Sequence, residues 1–140
     1  LEPRSAWQHD SLGLALVSAR RAKEAIVEFN ESIKLAPNAA APYAGLGEAL
    51  LQLGQFDGAV LQFQAAIRMD PKAFMPHFRF AKALASYAGE ETEAQLDARL
   101  RTACDEVLLG AKTAPSPKFA EFYFRLIDKA AAGRLVCREL

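Results

Sequence analysis

Two segments of this chain repeat at a spacing of 34 residues. SLGLALVSARRAKEAIVEFNESIKLAP ends at Pro37, and YAGLGEALLQLGQFDGAVLQFQAAIRMDP ends at Pro71. At the same offset Leu12 meets Leu46, Gly13 meets Gly47 and Leu16 meets Leu50. In the second half of the unit Ala25 meets Ala59, Phe29 meets Phe63 and Ile33 meets Ile67. A unit of this size cannot bury an apolar face alone, so consecutive units must stack and share a core. The matches therefore limit the chain to a repeat architecture before any element is assigned.

Composition decides which kind of repeat. The chain has 28 alanines and only 12 Val, Ile or Thr residues, which favours helix over sheet. Yet Gly45 and Gly47 both fall inside a segment with helical spacing, and glycine in a helix interior costs roughly 1 kcal/mol relative to alanine. Gly47 and Gly13 share one repeat position, so the cost recurs and needs a common cause. The expected cause is a helix crossing, where a missing side chain lets two backbones approach. Ala25, Ala59 and Ala66 serve the same crossing from the second helix.

These residues resemble the tetratricopeptide repeat, a helix–turn–helix unit of the form W-x2-L-G-x2-Y…A-x3-F…P. The second unit carries Tyr43, Leu46, Gly47, Leu50, Ala59, Phe63, Ala66 and Pro71. The first carries Leu12, Gly13, Leu16, Ala25, Phe29, Ser32 and Pro37, with His9 at the aromatic position. The resemblance implies an all-α, right-handed α-solenoid of about three units with a C-terminal capping helix. The expected boundaries are about 6–39, 40–73 and 74–115, followed by a cap at about 116–132, all in one domain spanning 1–140.

Tyr43 maps forward onto His77 and backward onto His9, so both histidines occupy one repeat position. Two repeats lie between them, which argues for two helix-packing residues rather than a shared metal site. The third unit starts with a helix expected over Phe74–Ala88 and closed by Gly89. Its Ala-x3-Phe spacing then fails, and reappears ten residues late as Ala103, Val107, Gly110 and Pro115. TEAQ at Thr92–Gln95 has the form of a capping box. Leu96, Leu100, Ala103, Val107 and Leu108 follow it at helical spacing. A helix from near Glu93 to about Lys112 is expected, protruding about three turns beyond its neighbours; a break within Asp97–Thr102 is the alternative. Ser116 and Pro117 start a last helix. It is read either as the cap or as the first helix of a fourth repeat.

The chain shows no phosphate loop, HExxH, GxSxG or EF-hand pattern, and no candidate nucleophile beside a base. It is read as no enzyme, with no cofactor and no metal. Lys+Arg and Asp+Glu both number 17, which speaks against a nucleic-acid or anionic-membrane partner. No apolar run is long enough to insert in a membrane. Cys104 and Cys137 lack CxxC spacing and read as free thiols in a reducing compartment, hence a cytoplasmic expectation. The chain begins at Leu1, and LEPRS reads as a tag or the edge of an excised fragment; a removed leader stays open.

In the family the first helices line a concave groove. By helical spacing its lining here is expected to hold Trp7, Asp10, Leu14 and Val17 in the first unit. Gly45, Glu48 and Leu51 follow in the second, and Met75, Phe78, Arg79 and Lys82 in the third. Gly45 is read as room for a ligand or as a plain surface glycine, and Phe78 as an anchor. Co-chaperone members clamp acidic tails with Lys and Asn. The corresponding places hold Asp10, Leu14, Gly45, Met75 and Arg79, of which only Arg79 suits a carboxylate. The expected function is a protein-interaction adaptor that binds an apolar peptide or amphipathic helix, with Arg79 and Lys82 reading its polar ends. A domain excised from a larger enzyme and a homo-oligomer packed through Trp7, Phe74 or Phe124 are the alternatives.

Overall fold

Seven helices form where the sequence periodicity places them, as seen in a computed structural model that describes residues 4–132 and Cys137. They are α1 (Ala6–Ser18), α2 (Ala22–Leu35), α3 (Ala40–Gln52), α4 (Phe56–Met69), α5 (Phe74–Ala85), α6 (Glu93–Ala111) and α7 (Pro117–Ala130). No strand occurs among the described residues. The chain divides into two compact units, Leu1–Pro71 and Lys72–Leu140.

In the first unit α1 pairs with α2 and α3 with α4, and α2 also packs on α3. The pairing is set by where glycine leaves space. A Cβ on Gly13 would lie 2.6 Å from Phe29 Cε1, and one on Gly47 would lie 2.9 Å from Phe63 Cζ. Both rings are fully buried, as are Ala25, Ala59 and Ala66. The recurring glycine is thus the seat of the phenylalanine of its own unit. Packing at the crossing offsets the helix-propensity cost.

Gly45 corrects the sequence reading. A Cβ there would come within 2.5 Å of Phe29 Cζ, so the space above Gly45 is filled by the ring of the preceding hairpin. Gly45 is itself buried and is neither a groove floor nor a surface glycine. The helix α3 is packed on two sides, by α4 and by α2, and sequence spacing revealed only the first. Phe29 therefore sits between Gly13 and Gly45, and joins two hairpins into one core with Leu16, Ala22, Leu46 and Ala49. The Oγ of Ser32 donates to Ala6 O at 2.8 Å, and the hydroxyl of Tyr43 donates to Pro37 O at 2.9 Å.

In the second unit α5 pairs with α6, and α7 packs on both. The arrangement is the inverse of the first unit, since here the ring comes from the first helix. Phe78 is fully buried, and a Cβ on Gly110 would lie 2.8 Å from its Cε1. The ring of Phe78 also stacks on Tyr123 of α7, with centroids 4.7 Å apart, and on Phe119 at 6.4 Å.

The helix after the insertion is continuous and starts at the expected capping box: Thr92 accepts from Gln95 N–H, and Gln95 Oε1 accepts from Thr92 N–H at 2.8 Å. It has 19 residues against 14 in α2 and α4, so it is longer by about 7.5 Å, or one and a half turns, rather than three. The remaining inserted residues lengthen the loop before it. That loop opens early, because α5 ends at Ala85 and not at Ala88. Arg99 of α6 reaches back to the Leu84 carbonyl, pairs with Glu91 and lies over the Tyr87 ring, 5.2 Å from its centroid. These contacts hold the loop in place of a further helical turn.

The cysteines are not free. Cys104 and Cys137 form a disulfide, with Cα atoms 5.6 Å apart, well inside the range a bridge requires. They lie 33 residues apart in sequence, one on α6 and the other beyond the end of α7. The expectation of two free thiols is overturned on this point.

The glycine seats lead to opposite outcomes for similar substitutions. Gly45→Ala and Gly47→Ala are each expected to lower stability by about 1–3 kcal/mol through overpacking. A Cβ at Gly58 meets only Leu50 at an ordinary 3.6 Å, so Gly58→Ala should raise stability by about 0.5–1 kcal/mol. Urea unfolding followed by circular dichroism measures all three.

Candidate functional site: the faces of the first helices

Once the crossings are filled, each first helix keeps a face that its own hairpin does not use. In the first unit that face holds Asp10, Leu14 and Val17 on α1 and Glu48 and Leu51 on α3, all half-buried. Leu14 and Val17 pack partly against the shared core and leave part of their surface outward. Gln52 Nε2 donates to Val17 O at 2.7 Å and ties the end of α3 to α1 along this face. Trp7 stands in the first turn of α1 with 74% of its surface exposed, an unusual state for the largest apolar side chain. The turn beneath it is fixed by Ser5, whose Oγ accepts from Gln8 N–H while Gln8 Oε1 accepts from Ser5 N–H at 2.7 Å. The rigid start of α1 therefore presents the indole.

In the second unit α5 places Met75 and Arg79 half-buried and Lys82 exposed. Phe78, expected as an anchor among them, belongs to the core instead. Its ring is enclosed by Phe74, Phe119, Tyr123 and Gly110, and none of it reaches solvent. The helix α7 was the element that sequence spacing did not connect to α5. Of the expected lining, Trp7, Asp10, Leu14, Val17, Glu48 and Leu51 fall in the first unit with at least part of their surface outward. Met75, Arg79 and Lys82 do so in the second, while Gly45 and Phe78 are spent on packing.

The two histidines do occupy equivalent places, and each has a partner that sequence reasoning missed. His9 Nδ1 donates to Glu28 Oε2 at 2.7 Å, and His77 Nδ1 donates to Glu106 Oε2 at 2.7 Å. Both pairs join the first helix of a hairpin to its second. The separations are 19 and 29 residues, and their difference equals the ten-residue insertion. That coincidence was the available signal. The pairs bind helix to helix, and no group of three or more His, Cys, Asp or Glu residues suited to a metal occurs among the described residues. No described helix is long and apolar enough to cross a membrane.

The insertion carries an ion pair with a shifted carboxylate. Hydrogen bonding from the Arg99 guanidinium holds the Glu91 carboxylate below its usual pKa; desolvation opposes this, and the charge of Arg99 adds to it. A lowered carboxylate pKa contributes stability above the unfolded value, about 4.3 for glutamate, and that stability is lost as pH falls through the folded value. The stability difference between the native chain and Glu91→Gln should therefore be full above about pH 5. It should shrink steadily below about pH 4 in thermal melts taken across that range.

Comparison with known proteins places this geometry. A profile of the tetratricopeptide repeat matches residues 11–74 and again 44–107, well over half of the chain. No curated protein matches in sequence. Solved structures similar to it include the TPR2B domain of yeast Sti1 in a pHsp70 complex. That match has 21% identity and a TM-score of 0.73, covering 92% of this chain and 98% of that one. The first TPR of Spaghetti (RPAP3), bound to the HSP90 peptide SRMEEVD, is 16% identical with a TM-score of 0.73, covering 94% and 99%. The Yersinia enterocolitica type III secretion chaperone SycD, in complex with a peptide of the translocator YopD, is 22% identical with a TM-score of 0.67, covering 92% of each.

Proposed function

Because the chain belongs to the tetratricopeptide repeat family, we propose that it is a non-catalytic protein-interaction adaptor whose ligand is an apolar peptide or an amphipathic helix. The observation that carries this reading is the surface left on the first helices after packing is complete. In the first unit Leu14, Val17 and Leu51 keep apolar surface outward, and Trp7 is 74% exposed. In the second, Met75 lies on the same helix as Arg79 and Lys82. Aromatic and methionine side chains are frequent anchors for a bound segment, and basic groups read its polar ends.

Structural neighbours in peptide complexes support a peptide ligand in general. The chemistry of the residues selects its class. An acidic segment such as SRMEEVD would approach Asp10 and Glu48 in the first unit, and their carboxylates disfavour it. An apolar segment gains from leaving water against Leu14, Val17, Leu51 and Trp7. Self-association is a second reading, favoured by Trp7 and by Phe122, which is 61% exposed. A light-scattering mass that stays at one chain across a concentration series rejects it.

Fluorescence anisotropy tests the ligand class. A labelled helix of leucine on one face and glutamine on the other should bind, and labelled SRMEEVD should not. Trp7→Ala, at an exposed position, should weaken binding by more than about 1 kcal/mol with the fold intact. Tighter binding of SRMEEVD, or unchanged affinity of Trp7→Ala, would reject the reading.

A further inference from the structure

The disulfide joins the middle of α6 to the chain that follows α7. It thereby ties the far end of α7 back to the helix that α7 packs on. Its two cysteines differ in exposure. Cys104 has no exposed surface, whereas Cys137 is half-buried.

Noncovalent contacts hold α7 through a small buried set and an aromatic cluster. Only Ala120 and Ile127 within the helix, with Ala131 just after it, are buried. Phe119 and Tyr123 lie against Phe74 and Phe78, at centroid distances of 4.7–6.4 Å. The ion pair of Arg125 with Glu121 is internal to α7 and exposed. The hairpin beneath has separate supports that do not involve α7. They are the Phe78–Gly110 seat, the His77–Glu106 bond and the contacts of Arg99 with Glu91 and the Leu84 carbonyl.

We propose that the Cys104–Cys137 disulfide is a redox strap. Oxidised, it holds α7 over the aromatic cluster of Phe74 and Phe78; reduced, it lets α7 lift and uncovers that cluster while α5 and α6 stay paired. A dithiol reductant supplies the electrons. One of its thiolates attacks Cys137 Sγ, the sulfur of the less buried cysteine, and the Cys137–Cys104 bond breaks. Cys104 leaves as a thiolate and takes a proton. The second thiolate of the reductant then attacks the mixed disulfide and releases Cys137, so the dithiol ends as a disulfide and the protein as two thiols.

The test is hydrogen exchange by mass spectrometry on the chain with and without dithiothreitol, with iodoacetamide alkylation read at each cysteine. On reduction, amides of residues 117–130 should exchange at least tenfold faster, while those of α1–α6 keep their protection. Cys104, enclosed in the oxidised state, should then alkylate nearly as fast as Cys137, and reoxidation should restore both readings. Cys137→Ser should behave as the reduced chain does without any reductant. Three results overturn the proposal. They are unchanged protection over 117–130, loss of protection throughout the second unit in the reduced chain or in Cys137→Ser, and a native disulfide that saturating dithiothreitol does not open.

Discussion

The contact on which the first unit depends is the ring of Phe29 held between Gly13 and Gly45. Glycine destabilises a helix on its own, and here two helices accept that loss so that one ring can lie against both backbones. The consequence is continuity. Phe29 belongs to α2 but completes the packing of α1 and α3, so the core passes from one hairpin to the next without interruption. The second unit reaches the same close approach with the roles exchanged. Gly110 on the second helix receives Phe78 from the first, and α7 then covers the outer side of that ring.

This packing decides what surface is left for binding. A first helix in a stacked hairpin has one side toward its own second helix and another toward the hairpin before it. Only the remaining strip can meet a partner. In the first unit Leu14, Val17 and Leu51 keep outward surface while Gly45 is buried under the ring of the preceding hairpin; in the second, Met75 keeps some, and Phe78 is covered by Gly110 and α7. In the first unit the strip is largely apolar, with Asp10 and Glu48 beside it; in the second, α5 carries Met75, Arg79 and Lys82.

Much of the fold was legible in the sequence because its signals are local. The capping box at Thr92, the Ser116–Pro117 helix start and the spacing from Ala25 to Phe29 depend on neighbours within one turn or one hairpin. The errors arise where distant segments meet. Gly45 was misread because its partner is on the previous hairpin, and Phe78 because its cover is α7. The histidine pairs needed Glu28 and Glu106 to be recognised as equivalent across a ten-residue insertion. The disulfide joins α6 to a residue 33 positions further on, a pairing that no local spacing signals. The early end of α5 reflects a side chain, Arg99, that lies beyond the loop it shapes.

The central claim is that Phe29 and Gly45 act as one packing unit across two hairpins. A double-mutant cycle with Phe29→Leu and Gly45→Ala, followed by urea unfolding, measures it most directly. Leucine removes the ring that an alanine at position 45 would meet. The account predicts that the double mutant is more stable than the sum of the single effects allows, with a coupling of about 1 kcal/mol or more. Additivity within about 0.3–0.5 kcal/mol would mean that ring and glycine do not depend on each other, and would contradict it.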